Sequence, residues 1–216
     1  MELQDYIQVA QRRAWIVLVV AIIAGISAFG FSKVQTPIYK SSMKLFIQPA
    51  RTDFGLTQSA KQLLSSYIGI IFNKTNAARI NANLGLEYSG DRIFNSTKVA
   101  DDAATFAVQI EVSDYDGDTA NRIAKAWSLM FIDWRNTENA KQRREDRVDA
   151  ILGDEPVYNQ DYPRTSVNVI AGTILGALVG TLIVIGLEWS QSDVLRKQSD
   201  IERKLVIPVV GTIPHE

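Results

Sequence analysis

Few side chains in these 216 residues are of a type and spacing that could do chemistry. There is one histidine, His215, and no cysteine. That excludes a disulfide scaffold, a thiol nucleophile and a cysteine-based zinc site, and it argues against a Ser-His-Asp hydrolase or a multi-histidine metal centre. No GxxxxGK[ST] phosphate loop occurs, and no GxSxG, HExxH or CxxC, so the chain is not itself a P-loop kinase. The adjacent carboxylates Asp101 and Asp102 read as solvated neighbours and not as an acid/base pair. The run Ser113 to Asp118, SDYDGD, invites a calcium reading. Counted from Asp114, however, the sixth and twelfth positions hold Thr119 and Lys125, where a calcium loop needs Gly and Glu. A turn leading to a helix cap at Asp116 or Asp118 fits better. Asn73-Lys74-Thr75 and Asn95-Ser96-Thr97 match the glycosylation sequon, which matters only in a eukaryotic secretory setting. No metal, cofactor or catalytic residue is expected.

The elements that carry these residues fall into two unlike populations. Mean hydropathy is −0.02, an average of two uncharged apolar runs and a polar middle. Residues 14–31 could span about 27 Å as a helix and residues 167–187 about 31 Å, close to the hydrocarbon thickness. The first run has a rival reading as a cleaved signal peptide, with Arg12-Arg13 ahead of it and Ala28-Phe29-Gly30 as a small-x-small site, but it is longer than a usual signal core. Neither run has an ionisable residue in its interior, which argues against a proton relay or transport site. Arg12, Arg13, Arg196, Lys197, Arg203 and Lys204 flank one side; Lys33, Lys40, Lys44 and Arg164 flank the other. The bias favours both termini in the cytoplasm, with Trp15 and Trp189 as interfacial anchors. The expected layout is a cytoplasmic N-terminus at 1–13, spans at 14–31 and 167–187, an extracytoplasmic domain at 32–166, and a cytoplasmic tail at 188–216. Net charge is −1; the middle segment alone holds 17 basic and 17 acidic residues. A nucleic-acid partner is therefore not expected.

Within the middle segment the patterning predicts an α+β fold. Residues 38–47 alternate, with Tyr39, Ser41, Met43, Leu45 and Ile47 on one face, as a half-buried strand does. Residues 57–72 have helical spacing, and Asn76 could cap a second short helix ended by Gly85. Residues 86–97 are turn-rich and carry no clear element. Residues 105–112 alternate, with Phe106, Val108, Ile110 and Val112 on one face. From Thr119 to about Leu152 the pattern predicts one long helix whose charged second half outruns its apolar stripe and would meet other subunits. Gly153 would end it, and a stiff, extended return with Pro156 and Pro163 would follow. In the second apolar run Gly172, Gly176 and Gly180 form a GxxxGxxxG stripe. Ala21, Gly25 and Ala28 offer a small face on the first run. Such faces let helices approach closely, either within the chain or between subunits.

Several stretches together resemble one family. They are MELQDYIQVAQRRAW ahead of the first span, TPIYKSSMKLFI at the first strand, FAVQIEVSDYDGDTANRIAKAW, the Gly-rich second span, and the tail DVLRKQSDIERKLVIPVVGTIP. The chain resembles the chain-length determinant (Wzz-like) polysaccharide co-polymerases, in a short adaptor-like form without a kinase domain. The resemblance implies a bacterial inner-membrane protein that forms a homo-oligomeric, non-catalytic scaffold in cell-surface polysaccharide biosynthesis or export. It also implies polymerase or export partners and a cytoplasmic tyrosine kinase acting in trans. Arg196, Lys197, Arg203, Lys204, Pro208, Gly211 and Pro214 in the tail would contact the cytoplasmic partner. Two other readings stay open: an accessory structural subunit of a different bacterial membrane complex, and a periplasmic sensor.

Overall fold

The computed structural model describes residues 3–51, 54–102 and 104–191. The chain divides into two compact units, one of residues 1–34 with 164–216 and the other Gln35–Pro163. The first consists of two helices, α1 (Leu3–Val34) and α6 (Thr165–Gln191). Within them, Arg13–Val34 and Thr165–Ser190 are long and apolar enough to cross a membrane. Most of their large apolar side chains are exposed, among them Leu18, Ile22, Ile26, Ile174, Leu178 and Leu182. A soluble core helix would bury such residues; helices apolar all round and uncovered are those that lipid solvates.

The second unit is an α+β domain. Its antiparallel sheet is built around β1 (Ile38–Pro49), which pairs with β3 (Ala107–Asp114) along one edge. The other edge of β1 is shared: β5 (Val157–Tyr162) pairs near its start and β4 (Val148–Leu152) near its end. β2 (Thr97–Asp102) pairs with the outer edge of β3. The period-two pattern of β1 sorts its two faces, with Ser41, Met43, Leu45 and Ile47 buried while Ser42, Lys44, Phe46 and Gln48 are exposed. Helices α2 (Phe54–Ile71), α3 (Lys74–Leu84), α4 (Gly90–Ser96) and α5 (Gly117–Ala140) close the apolar core. Leu64, Ile80, Ile93, Ile123, Trp127 and Phe131 join Val108, Ile110 and Val112 there.

Local signals explain most boundaries. Asn73, and not Asn76, caps α3: its side chain accepts from the Asn76 backbone N–H at 2.9 Å, and Asn76 donates back to the Ile71 carbonyl. Gly85 ends α3 at φ 62°, the left-handed region that glycine enters without a Cβ penalty. Asp116 caps α5, accepting from the Thr119 N–H and hydroxyl at 2.8 and 2.6 Å. The turn-rich stretch after Gly85 holds a short helix, α4, capped by Ser89, and then runs directly into β2. The strand expected from Thr105 starts at Ala107, because Phe106 takes a left-handed φ of 53° and turns its carbonyl to the Ile47 N–H.

The expected helix from Thr119 to Leu152 is corrected by the structure. α5 stops at Ala140, a short 3₁₀ turn follows at Arg144–Asp146, and Val148–Leu152 is strand β4. The cause is a buried polar lock. Arg135, 2% exposed, donates from Nε and Nη2 to the Val148 carbonyl at 3.1 and 3.0 Å. Asn139 accepts from the Val148 N–H at 3.1 Å and donates to the Val148 carbonyl and to Asp149. Fixing both backbone groups of Val148 turns the chain back onto the edge of β1, where Val148 and Ala150 point into the core and Asp149 and Ile151 out of it. The extended return after Gly153 is itself a strand, β5.

Candidate assembly surfaces

The two apolar helices run antiparallel, joined along their small residues. A Cβ built on Gly172 would lie 2.6 Å from the Ala28 Cβ; one on Gly176 would lie 2.5 Å from the Ala24 Cβ and 2.9 Å from the Ala21 Cα. A Cβ on Gly180 would meet the Val17 Cα at 2.8 Å, and one on Gly25 the Thr173 hydroxyl at 2.6 Å. Gly172, Gly176 and Gly180 thus face α1, and Ala21, Gly25 and Ala28 face α6. The approach is backbone to backbone, which side chains of ordinary size would prevent. Each end of the pair has a polar clasp. Arg13 and Glu188 form an ion pair at 3.4 Å at one end. At the other, buried Ser32 donates to the Thr165 hydroxyl at 3.0 Å and accepts from Asn168 Nδ2 at 3.2 Å. Trp15 and Trp189 are exposed beside the Arg13–Glu188 clasp.

In the α+β domain the carboxylates serve structure. Asp114 is buried and accepts from Tyr88 Oη at 3.2 Å, Arg92 Nη2 at 3.3 Å and the Asp116 N–H at 3.1 Å. The Arg92 guanidinium also stacks over the Tyr88 ring at 3.6 Å. Burial, followed by the negative charge of Asp114, raises the Tyr88 phenol above its ordinary range. Asp101 and Asp102 are consecutive in β2, so their side chains leave opposite faces of the strand. Asp101 accepts from Ser65, and Asp102 accepts the hydroxyl and N–H of Thr105. Those bonds hold Asp102 below the usual carboxylate range, and the Thr119 bonds do the same for Asp116. Among the described residues no group of three or more His, Asp or Glu is placed to hold a metal ion.

The sheet face away from the helices is open and mixed, with Phe46 and its cross-strand partner Ile151 exposed beside polar side chains. On it Lys40 lies 3.5 Å from Glu111 and 3.6 Å from Asp161. Sequence reasoning missed a groove of about 490 Å³ between α2 and the turn after α5, because it took residues 141–147 as helix. Leu63 and Tyr67 line it from α2, and Lys141, Gln142, Arg143 and Asp146 from the turn. The signal that could have found it is the alternation of Val148 and Ala150 with Asp149 and Ile151, which marks a strand and therefore a turn before it.

Residues 1–84 match the family described as chain length determinant protein (Wzz). The chain is 26% identical over 211 residues to capsular polysaccharide biosynthesis protein CpsC of Streptococcus pneumoniae, covering 94% of this chain and 90% of that one. The chain is thus similar to Wzz proteins in its first 84 residues and to a capsular polysaccharide biosynthesis protein over most of its length. Capsular polysaccharide biosynthesis protein CapA of Staphylococcus aureus is 24% identical, covering 89% of this chain and 85% of that one. The probable capsular polysaccharide biosynthesis protein YwqC of Bacillus subtilis is 23% identical over 82% of this chain. The Wzz match takes in α1, β1, α2 and α3, that is, the first apolar helix, the central strand of the sheet and two of the helices that follow it. The similarity to CpsC, at 94% of this chain, extends over the second helix as well. The tail residues Arg196, Lys197, Arg203, Lys204, Pro208, Gly211 and Pro214 lie outside the described residues.

Proposed function

We propose that this chain is a membrane-anchored chain-length determinant for a bacterial cell-surface polysaccharide, capsular in type, and that it works as a non-catalytic homo-oligomeric scaffold. The observation that carries this reading is the similarity to three capsular polysaccharide biosynthesis proteins, over 94%, 89% and 82% of the chain. The α+β domain linked at both ends to helices fit for a bilayer supports it. In this reading both termini are cytoplasmic and the α+β domain is extracytoplasmic, with its boundaries near residues 32 and 166. The Gly172, Gly176 and Gly180 seam holds the chain's own two helices together. Assembly between subunits then falls to the outward apolar faces and to the domain. The tail from Asp193 to Pro214 meets the cytoplasmic partner, for which the family resemblance implies a tyrosine kinase in trans, and polymerase or export proteins act beside the scaffold in the membrane.

Purification in mild detergent, with mass measurement and identification of co-purifying proteins, tests the scaffold. A closed homo-oligomer accompanied by polysaccharide-assembly proteins is the expected result. A monomer, or a fixed stoichiometric association with an unrelated membrane complex, would overturn it in favour of an accessory subunit.

A further inference from the structure

We propose that the groove between α2 and the turn after α5 binds an anionic oligosaccharide, a segment of the polymer whose length the chain helps to set; this rests on the reading above. The groove, about 490 Å³, is within the size range of small-ligand sites. Its surfaces divide as a sugar's do. Leu63 and the Tyr67 ring offer an apolar floor for the C–H face of a pyranose, and the ring is fixed by Trp134 at 5.4 Å and by the buried Arg135 guanidinium at 4.6 Å. Gln142 and Asp146 supply the amide and carboxylate that pair with hydroxyl groups.

Charge selects an anionic sugar over a neutral one. The turn Lys141–Arg147 holds four cations and two acids, within a middle segment that totals 17 and 17 with the turn included; of these, Lys141, Arg143 and Asp146 line the groove, and Lys141 is held by Glu138 at 2.7 Å. Arg143 is 82% exposed, and its ion pairs with Glu145 and Asp146 are both 3.8 Å long, too long for hydrogen bonds. Its donor fork is therefore available for a carboxylate or phosphate, which guanidinium grips in bidentate fashion. Asp146, the acid in the groove, already lies 3.5 Å from Arg51, which limits its repulsion of an anion. The placement also suits a passing polymer. The groove is at the end of the sheet where Pro49 pairs with Val148. The chain enters and leaves the domain at the other end, where Ile38 pairs with Tyr162, about 36 Å away along β1.

The full chain in lipid nanodiscs, titrated with tetragalacturonate and separately with neutral maltotetraose, tests this. Calorimetry gives the affinity. The expected result is binding of tetragalacturonate that weakens at least tenfold in Arg143→Glu and falls with added salt, with Arg143→Lys intermediate and no binding of maltotetraose. An unchanged melting temperature of Arg143→Glu shows that the exposed substitution has left the fold alone. Absence of tetragalacturonate binding, equal binding by Arg143→Glu, or equal affinity for maltotetraose would each overturn the proposal. Polymer sizing in cells separates the two levels. If deletion of the chain alters polymer length but Arg143→Glu does not, the groove assignment fails and the functional reading stands. If deletion leaves length unchanged, both fail.

Discussion

The two units of this chain are held together by opposite physics. In the α+β domain large apolar groups are removed from water: Trp127 is 2% exposed and Leu45, Ile93 and Ile123 are fully buried. In the helix pair the large apolar groups stay outside, and the join is made by glycine and alanine with a polar clasp at each end. The difference follows from the solvent. In water, burying a methylene is favourable by about 0.8 kcal/mol. In lipid the surroundings are as apolar as leucine, so close backbone approach and hydrogen bonds must do the joining. In the helix pair the small residue is the contact itself.

This contrast can be broken experimentally, starting where the effect is greatest. Trp127→Ala removes a core ring and its indole hydrogen bond to Thr97. It should destabilise the α+β domain by about 3–5 kcal/mol in denaturant unfolding, with the helix pair unaffected. Gly176→Leu should do the reverse, at a cost of about 1–3 kcal/mol from overpacking. Because the chain has no cysteine, a Ser32→Cys/Thr165→Cys pair reports the helix join directly. Oxidative cross-linking should be efficient in the parent and markedly reduced with Gly176→Leu. Unchanged cross-linking would mean that the glycine seam does not hold these two helices.

A pH scan sharpens the contrast. Asp102 and Asp116 have folded-state values lowered by hydrogen bonds. Their stabilisation is therefore present above the ordinary carboxylate value of about 3.9 and is lost as pH falls through the lowered folded-state values. Acid should weaken the α+β domain below about pH 4. Asp116→Asn, which keeps a capping oxygen, should remove part of that acid sensitivity while leaving the α5 cap in place. The smallest effect is Ser32→Ala, expected to cost about 0.6 kcal/mol, the usual size of a hydrogen bond between membrane helices. A loss several times larger would show that the clasp, and not the glycine seam, dominates the join.

What could be read from the sequence follows the same division. The apolar runs announce themselves, because a bilayer demands about 20 apolar residues in succession and little else in a chain looks like that. Strand β1 was legible for a similar reason: one face is wet and one is dry, so Tyr39 to Ile47 alternate. The Asp116 cap and the Gly85 stop were visible because each is a local device with few residue choices. The fold of residues 141–152 was not legible. KQRREDR reads as a solvated helix, and only the distant Arg135 and Asn139, reaching Val148 from the preceding helix, decide otherwise. Tertiary capture of a backbone group overrides local propensity. The groove was hidden with it, since its rim exists only once that helix is broken.

The central claim is control of polymer length, and the most direct measurement is the size distribution of the surface polysaccharide in cells with and without this chain. On the proposed scaffold reading, polymer is still made without it, but with a shifted or broadened length distribution that the parent chain restores. An unchanged distribution after deletion, with normal surface polysaccharide, would contradict it.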